Sequence, residues 1–330
     1  MLKGTAYAVP LSILFKREEQ LFMAGELHRT IKRVREHMGL YVFLFFPLAS
    51  VFVFSYIPMG GVVLAFKDYS AIKGILGSEW VGFRYFEEFI GSYKFVRTLN
   101  NTILLSFYGL FASFPIPIVF ALLLNANGYG RLRKLTQTIT YMPHFISTVV
   151  MVGLLMQIFD MRIGVFGIIW YKITGEVAPN LFSLPNAFPH LYVWSGVWQS
   201  TGWNSIIYFA ALSSVDKQLH EAAQIDGASR FQRVLHIDLP CILPTASIML
   251  IMAAGRIMNV GFEKVFLMQN SMNIATSEVI STYVYKVGMV NGGGNFSFGT
   301  AVNLFNSLIN FSLMVTVNKI TAGLGGNSLW

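Results

Sequence analysis

Apolar residues gather along the chain in six runs, 40–66, 98–125, 135–159, 189–213, 242–267 and 297–318, with shorter polar segments between them. Each run holds the roughly 20 residues that a helix needs to cross about 30 Å of hydrocarbon. The pattern predicts an all-α, polytopic membrane protein with six transmembrane helices. The fifth run is the least uniform, because Arg256, Glu263 and Lys264 interrupt it; it either extends past the bilayer or borders a wet cavity.

Residues 1–39 precede the runs and carry seven Lys/Arg and four Glu, with Leu21, Phe22, Leu27, Ile31 and Val34 at roughly helical spacing. They predict a basic amphipathic segment on the cytoplasmic side or the membrane surface, with a partly disordered tail as the alternative. The expected organisation is this segment followed by one transmembrane domain, 40–330.

Between the fourth and fifth runs lies a polar island, 214–240. Asp216 is placed to cap a helix through Gln224, and Gly227 suits the left-handed residue that closes it. Ser229 and Gln232 have capping-box spacing, so a second helix should start there, and Pro240 is expected to stop it. Phe231, Val234 and Leu235 form a narrow apolar stripe beside Arg230 and Arg233, which has the look of a docking surface. Lys217, Arg230 and Arg233 are outnumbered by Asp216, Glu221, Asp226 and Asp238. The island therefore lacks the basic face that DNA phosphates require, and no nucleic acid is expected as a partner.

Composition agrees with the membrane class, at 54% hydrophobic and 12% charged residues. The net charge of +8 then reads as topology. The N-terminal segment, the 126–134 and 214–241 loops and the C-terminus together hold 14 Lys/Arg, against 8 in the alternating loops. The contrast is clearest at Arg131, Arg133 and Lys134, so both termini and the polar island are predicted to be cytoplasmic. The lone Cys241 is a packing residue in this reading. Tyr7–Phe15 is short for a span and has no convincing cleavage site, so no signal peptide is expected.

Glu221, Ala222 and Ala223, then Asp226-Gly227, then Ile237-Asp238-Leu239-Pro240 resemble the EAA loop of ABC-importer permease subunits. The resemblance implies a pair of cytoplasmic coupling helices docking on an ATP-hydrolysing subunit, with Glu221, Ala222, Ala223, Asp226, Gly227, Arg230, Phe231 and Pro240 as the coupling residues. Tyr56-Ile57-Pro58, Ala65-Phe66-Lys67-Asp68-Tyr69, Tyr141-Met142-Pro143-His144-Phe145, Phe262-Glu263-Lys264-Val265-Phe266 and Ser277-Glu278-Val279-Ile280 are similar to the oligosaccharide and polysaccharide branch of those permeases. Alginate importers belong to that branch, and no residue pattern separates them from their neighbours. The implied partners are a second permease subunit, related but distinct, two ATP-binding cassette subunits, an extracytoplasmic solute-binding protein and an oligosaccharide. The implied location, amid membrane lipid, is the bacterial cytoplasmic (inner) membrane.

The chain has no G-x-x-x-x-G-K-[ST] loop to cradle a nucleotide, so it is not expected to be an enzyme, and ATP and Mg belong to the partner ATPases. His28, His37, His144, His190, His220 and His236 lack metal-ligand spacing, so no metal is expected and each reads as a packing or surface histidine. Gly292, Gly293 and Gly294 read as a turn.

For the translocation path, Asn303, Asn306 and Asn310 form a polar stripe on the sixth run, facing either substrate or a neighbouring helix. Asn259, Arg256 and Glu263 join them as candidates; Arg256 and Glu263, if helical, share one face. Trp194 and Trp198 share another face, suited to sugar stacking or to an interfacial aromatic belt. The alternative function is an ion-coupled secondary transporter using Arg256 and Glu263, which leaves the 214–240 island without a purpose.

Overall fold

The computed structural model describes residues 35–126, 130–290 and 294–323, so the expectation for the amphipathic N-terminal segment, up to residue 34, and for Gly292 and Gly293 lies outside the described residues. The chain divides into two units, Met1–Val62 and Val63–Trp330. Helix dominates both, in keeping with the all-α expectation; the described strands are two-residue pieces, β1 (Lys67–Asp68) and β2 (Glu79–Trp80), paired antiparallel.

The first helical run, Met38–Phe66, begins with α1 (Met38–Val51) and buries no side chain before Ala65. Phe43 and Phe54 stand 80% and 77% exposed. Such a surface suits lipid, which is as apolar as the side chains themselves. A π-turn, Phe52–Tyr56, comes just before Pro58. The wider turn moves the preceding carbonyl away from the proline ring, so the run continues.

In the second unit, α2 (Gly74–Gly77) and α3 (Arg84–Ile90) follow the β1 strand, and α3 packs on the last long helix of the unit. The second run, Phe95–Ala126, is built of α4 (Phe95–Ser113) and α5 (Pro115–Ala126). Next come α6 (Arg131–Tyr141), a short 3-10 turn through Phe145, and α7 (Thr148–Ile158). The expected third span, 135–159, is thus not one rod: its two halves are bent by 103°. Gln199 Nε2 donates to the Ile146 carbonyl across 2.8 Å, and Ser147 caps α7 through its hydroxyl. The break is stable because distant and local side chains take up the backbone groups it frees.

A short apolar helix, α8 (Val165–Thr174), leads to the 27-residue α9 (Ala187–Ser213). α9 packs against α4, α5 and α6. A Cβ at Gly202 would overlap the Thr140 carbonyl, so glycine sets the approach of α6 to α9. α9 is long enough to span, but its tryptophans and amides leave it less apolar than the others. Among the described residues four helices are long and apolar enough to cross a membrane, or five if the bent pair is one span.

After α9 come α10 (Lys217–Ile225), α11 (Arg230–Arg233), a π-turn (Val234–Asp238) and α12 (Leu239–Ala254). The expected stop at Pro240 is overturned, since Arg230–Ala254 is one continuous helical run. As before Pro58, a π-turn precedes the proline and relieves its clash. The expected fifth span, 242–267, is corrected too: the helix ends at Ala254, and α13 (Phe262–Met268) begins after a break at 255–261. Arg256 and Glu263 therefore do not share a helix face. The chain then forms α14 (Ile274–Ser277), α15 (Ile280–Tyr285) and the 28-residue α16 (Phe296–Gly323).

Three buried clusters hold this unit together. Phe89, Tyr283 and Phe298 are central to one, Leu105, Phe188 and Val265 to the second, and Leu122, Phe209 and Ile242 to the third. The third joins the ends of α5, α9 and α12, and so forms the base from which the 214–240 loop projects.

Candidate functional site

Local chemistry accounts for each turn of the 214–240 loop. The Asp216 carboxylate accepts from the Gln218 amide at 2.9 Å and starts α10. Gly227 ends it with φ +80°, where a Cβ would be strained, and the Ala228 amide donates back to the Ala223 carbonyl at 2.9 Å. Ser229 and Gln232 complete a reciprocal capping box, with Ser229 N donating to Gln232 Oε1 at 2.7 Å and Gln232 N to Ser229 Oγ at 3.3 Å. Two helices at a fixed tight turn result, and the second flows into α12.

Asp238 locks the pair to the bundle. Its side chain is 2% exposed; Oδ1 lies 3.1 Å from His220 Nε2 and accepts from Asn125 Nδ2 at 3.3 Å. One carboxylate thus links the end of α5, the middle of α10 and the foot of α12. A buried acid is tolerated where donors surround it. Sequence reasoning placed Asp238 in a charge count and in the EAA-like motif, and read His220 as a packing or surface histidine; only their meeting across 18 residues reveals the join. Beside it a cleft of roughly 290 Å³ is lined by Lys217, Glu221, Arg230 and Arg233 among others.

Phe231, Leu235 and Ile225 stand out from the loop, at 74%, 45% and 87% exposure, while Val234 turns partly into the third cluster. Glu221, Ala222, Asp226 and Pro240 are exposed and Ala223 half-buried. The loop thus presents apolar side chains beside charged ones on a surface no other described segment covers.

The asparagine stripe runs along α16 as its spacing implies, but its members differ. Asn310 is buried: Oδ1 accepts from the Met258 amide at 2.9 Å, and Nδ2 donates to Asn259 Oδ1 at 3.2 Å. Asn306 Nδ2 reaches the same oxygen at 3.4 Å. Both therefore brace the break at 255–261, which periodicity alone did not disclose. Asn303 is exposed and borders a second cleft of roughly 290 Å³ with Phe262, Ser281, Tyr285, Phe296 and Thr300. Arg256 and Glu263 are exposed, on separate elements. Trp194 donates its indole N–H to the Tyr108 hydroxyl at 2.8 Å, and that hydroxyl lies 2.8 Å from His190 Nδ1; Trp198 is exposed. Lys264, on α13, is tied to α9, donating to the Tyr192 carbonyl at 2.8 Å.

Residues 113–321 match the family described as binding-protein-dependent transport system inner membrane component. Protein LplB of Bacillus subtilis (strain 168) is 38% identical over 305 residues, covering 92% of this chain and 95% of that protein. The polygalacturonan/rhamnogalacturonan transport system permease protein YteP of the same organism is 34% identical over 319 residues, covering 97% and 96%. Among solved structures, a chain of a bacterial ABC transporter involved in import of the acidic polysaccharide alginate superposes with a TM-score of 0.80 at 34% identity, covering 89% of this chain and 98% of that one. A chain of the alginate transporter in complex with its alginate pentasaccharide-bound periplasmic protein also gives 0.80, at 32% identity, covering 90% and 99%. The chain belongs to the family of binding-protein-dependent transport system inner membrane components, as a permease subunit of an ABC importer.

Proposed function

We propose that this permease carries oligosaccharides, acidic ones such as alginate fragments among them, across the bacterial cytoplasmic membrane. The bent pair and α9 complete six spans with both termini inside, and the 214–240 loop is the cytoplasmic EAA coupling element. It docks with two ATP-binding cassette subunits, which hold the ATP and Mg, through Glu221, Ala222, Ala223, Asp226, Gly227, Arg230, Phe231 and Pro240. A second, related but distinct permease chain completes the path, and an extracytoplasmic binding protein delivers the sugar. The wall of the path includes Asn303, Asn306, Asn310, Asn259, Arg256 and Glu263, with Trp194 and Trp198 as stacking faces. Support for the substrate class comes from the relatives named for acidic polysaccharides.

The observation that carries the coupling role is the join at Asp238. A loop that only connected two spans would not need a buried carboxylate to tie α5, α10 and α12 together. A loop that transmits force must move as one body with its spans, which is the mechanical requirement of a rigid-body switch. Replacing Asp238 by Leu leaves the Asn125 amide and His220 without their acceptor, whereas Asn keeps an acceptor oxygen. In the complete transporter in proteoliposomes, Asp238→Leu is expected to cut sugar transported per ATP hydrolysed at least several-fold, and Asp238→Asn to cut it less. Unchanged coupling in both variants, measured with a panel of neutral and acidic oligosaccharides, rejects the assignment; a transporter that moves none of the panel rejects the substrate class.

A further inference from the structure

A second charged cluster forms where the start of α4 meets the segment from α13 to α15. At its centre is Glu278, whose side chain is 2% exposed. Oε1 lies 3.5 Å from Lys94 Nζ, and Oε2 accepts from Arg97 Nη2. Asn101 Nδ2 donates to the Glu278 and Ala275 carbonyls at 3.0 and 2.9 Å, which fixes the backbone that carries the carboxylate. Lys286 donates to Gln269 Oε1 at 2.6 Å. Desolvation holds the Lys286 ammonium below the ordinary lysine range; Glu278 opposes this effect, and Lys94 and Arg97 reinforce it.

Lys94 and Arg97 share one carboxylate, and Lys286 feels its charge at longer range. Arg97 and Lys94 take one oxygen of the acid each, which leaves three cations against a single carboxylate, and gathering like charges in a partly buried place is unfavourable. Two donors of the same group, Arg97 Nε and Gln269 Nε2, are buried and make no hydrogen bond. Excess charge and excess donors both call for an anion with several acceptor oxygens. Beside Lys94 lie two flat rings, Tyr283 at 5.5 Å and Tyr93 at 5.8 Å from its Nζ, and Tyr93 is 86% exposed. A carboxylate carried on a sugar ring meets both demands.

We propose that Lys94, Arg97 and Lys286, held around Glu278, form a port for the carboxylates of acidic oligosaccharides at the extracytoplasmic mouth, with Tyr93 as the stacking face. The port rests on the topology given above, which puts the 67–97 and 268–296 segments outside. It selects for charge before the sugar reaches the wall of the path.

The complete transporter, with Cys241→Ser and Ser92→Cys, gives a readout that needs no transport, because Ser92 Oγ accepts from the Lys94 amide at 3.3 Å. Applied from outside, the anionic sulfonatoethyl methanethiosulfonate is expected to react about tenfold faster than the cationic trimethylammonioethyl reagent, each relative to a free thiol. Lys94→Gln with Lys286→Gln, which keeps the Arg97–Glu278 pair, should bring that ratio close to one. An oligogalacturonate should slow the labelling, and its methyl ester of equal length should not. In transport, the same double variant should lower the preference for acid over ester about tenfold. A ratio near one in the parent, equal protection by acid and ester, or protection by the binding protein alone overturns the port even where acidic sugars are transported. Labelling only from the inside overturns the topology instead.

Discussion

At the scale of single residues, Asn310 has more to lose than its neighbours on the stripe. Leucine there strands the buried Met258 amide, which costs about 1–3 kcal/mol, and takes from Asn259 Oδ1 one of its two donors. Asn306 makes one long hydrogen bond, so its replacement is milder. Asn310→Leu is expected to lower the melting temperature of the purified complex and slow transport of every sugar alike. Asn306→Leu is expected to leave the melt close to the parent's and change the preference among sugars of different length. Equal sugar preference in a stable Asn306→Leu complex would remove that residue from the path. The spacing of the three asparagines was legible because it depends only on helical period. Their unequal duties were not, since these depend on a break in a different segment 50 residues away.

For whole elements, the two helices of the 214–240 loop show what local chemistry specifies. Asp216, Gly227, Ser229 and Gln232 act within a few residues of themselves, and each occupies the role that its position implies. Pro240 misled because its effect depends on the turn before it, and a π-turn is invisible in an apolar pattern. The breaks at 146–147 and 255–261 were hidden for a related reason. Backbone groups there are taken up by Gln199 and Asn310, from other helices, and of the local residues only Arg256, Glu263 and Lys264 interrupt the apolar pattern, at the second break. At Gly227 the consequence is testable. Proline cannot adopt its positive φ, and even alanine costs roughly 1–2 kcal/mol in that conformation. Gly227→Pro, and Glu221→Lys by charge reversal, should leave the protein in the membrane but reduce ATPase co-purification or transport at least several-fold. Full substrate-stimulated ATP turnover in both variants would exclude the loop from coupling.

Across the whole molecule, membrane class followed from the sequence because lipid imposes one requirement everywhere: long apolar helices with their backbone satisfied internally. The number of spans followed less well. α9 carries polar and aromatic side chains that find partners within the bundle, and the bent pair crosses only if its halves are taken together. Sidedness rests on 14 Lys/Arg against 8 and is checked directly. In sealed, right-side-out vesicles bearing Cys241→Ser and Ser229→Cys, an impermeant thiol reagent should leave the protein unlabelled until the membrane is opened. Labelling of the intact vesicles would invert the topology.

The unbroken run from Arg230 to Ala254 makes a lever of the loop. At 1.5 Å per residue its 25 residues extend about 37 Å, and a tilt of only about 2–3° at the loop end then swings the far end by about 1–2 Å, the size of helix shift that switches a packed interface. That far end stops just short of the segment where Asn259 meets Asn306 and Asn310. On the docking proposed above, a small rock of the nucleotide-binding partners is delivered, with little attenuation, to the amides that brace the break at 255–261.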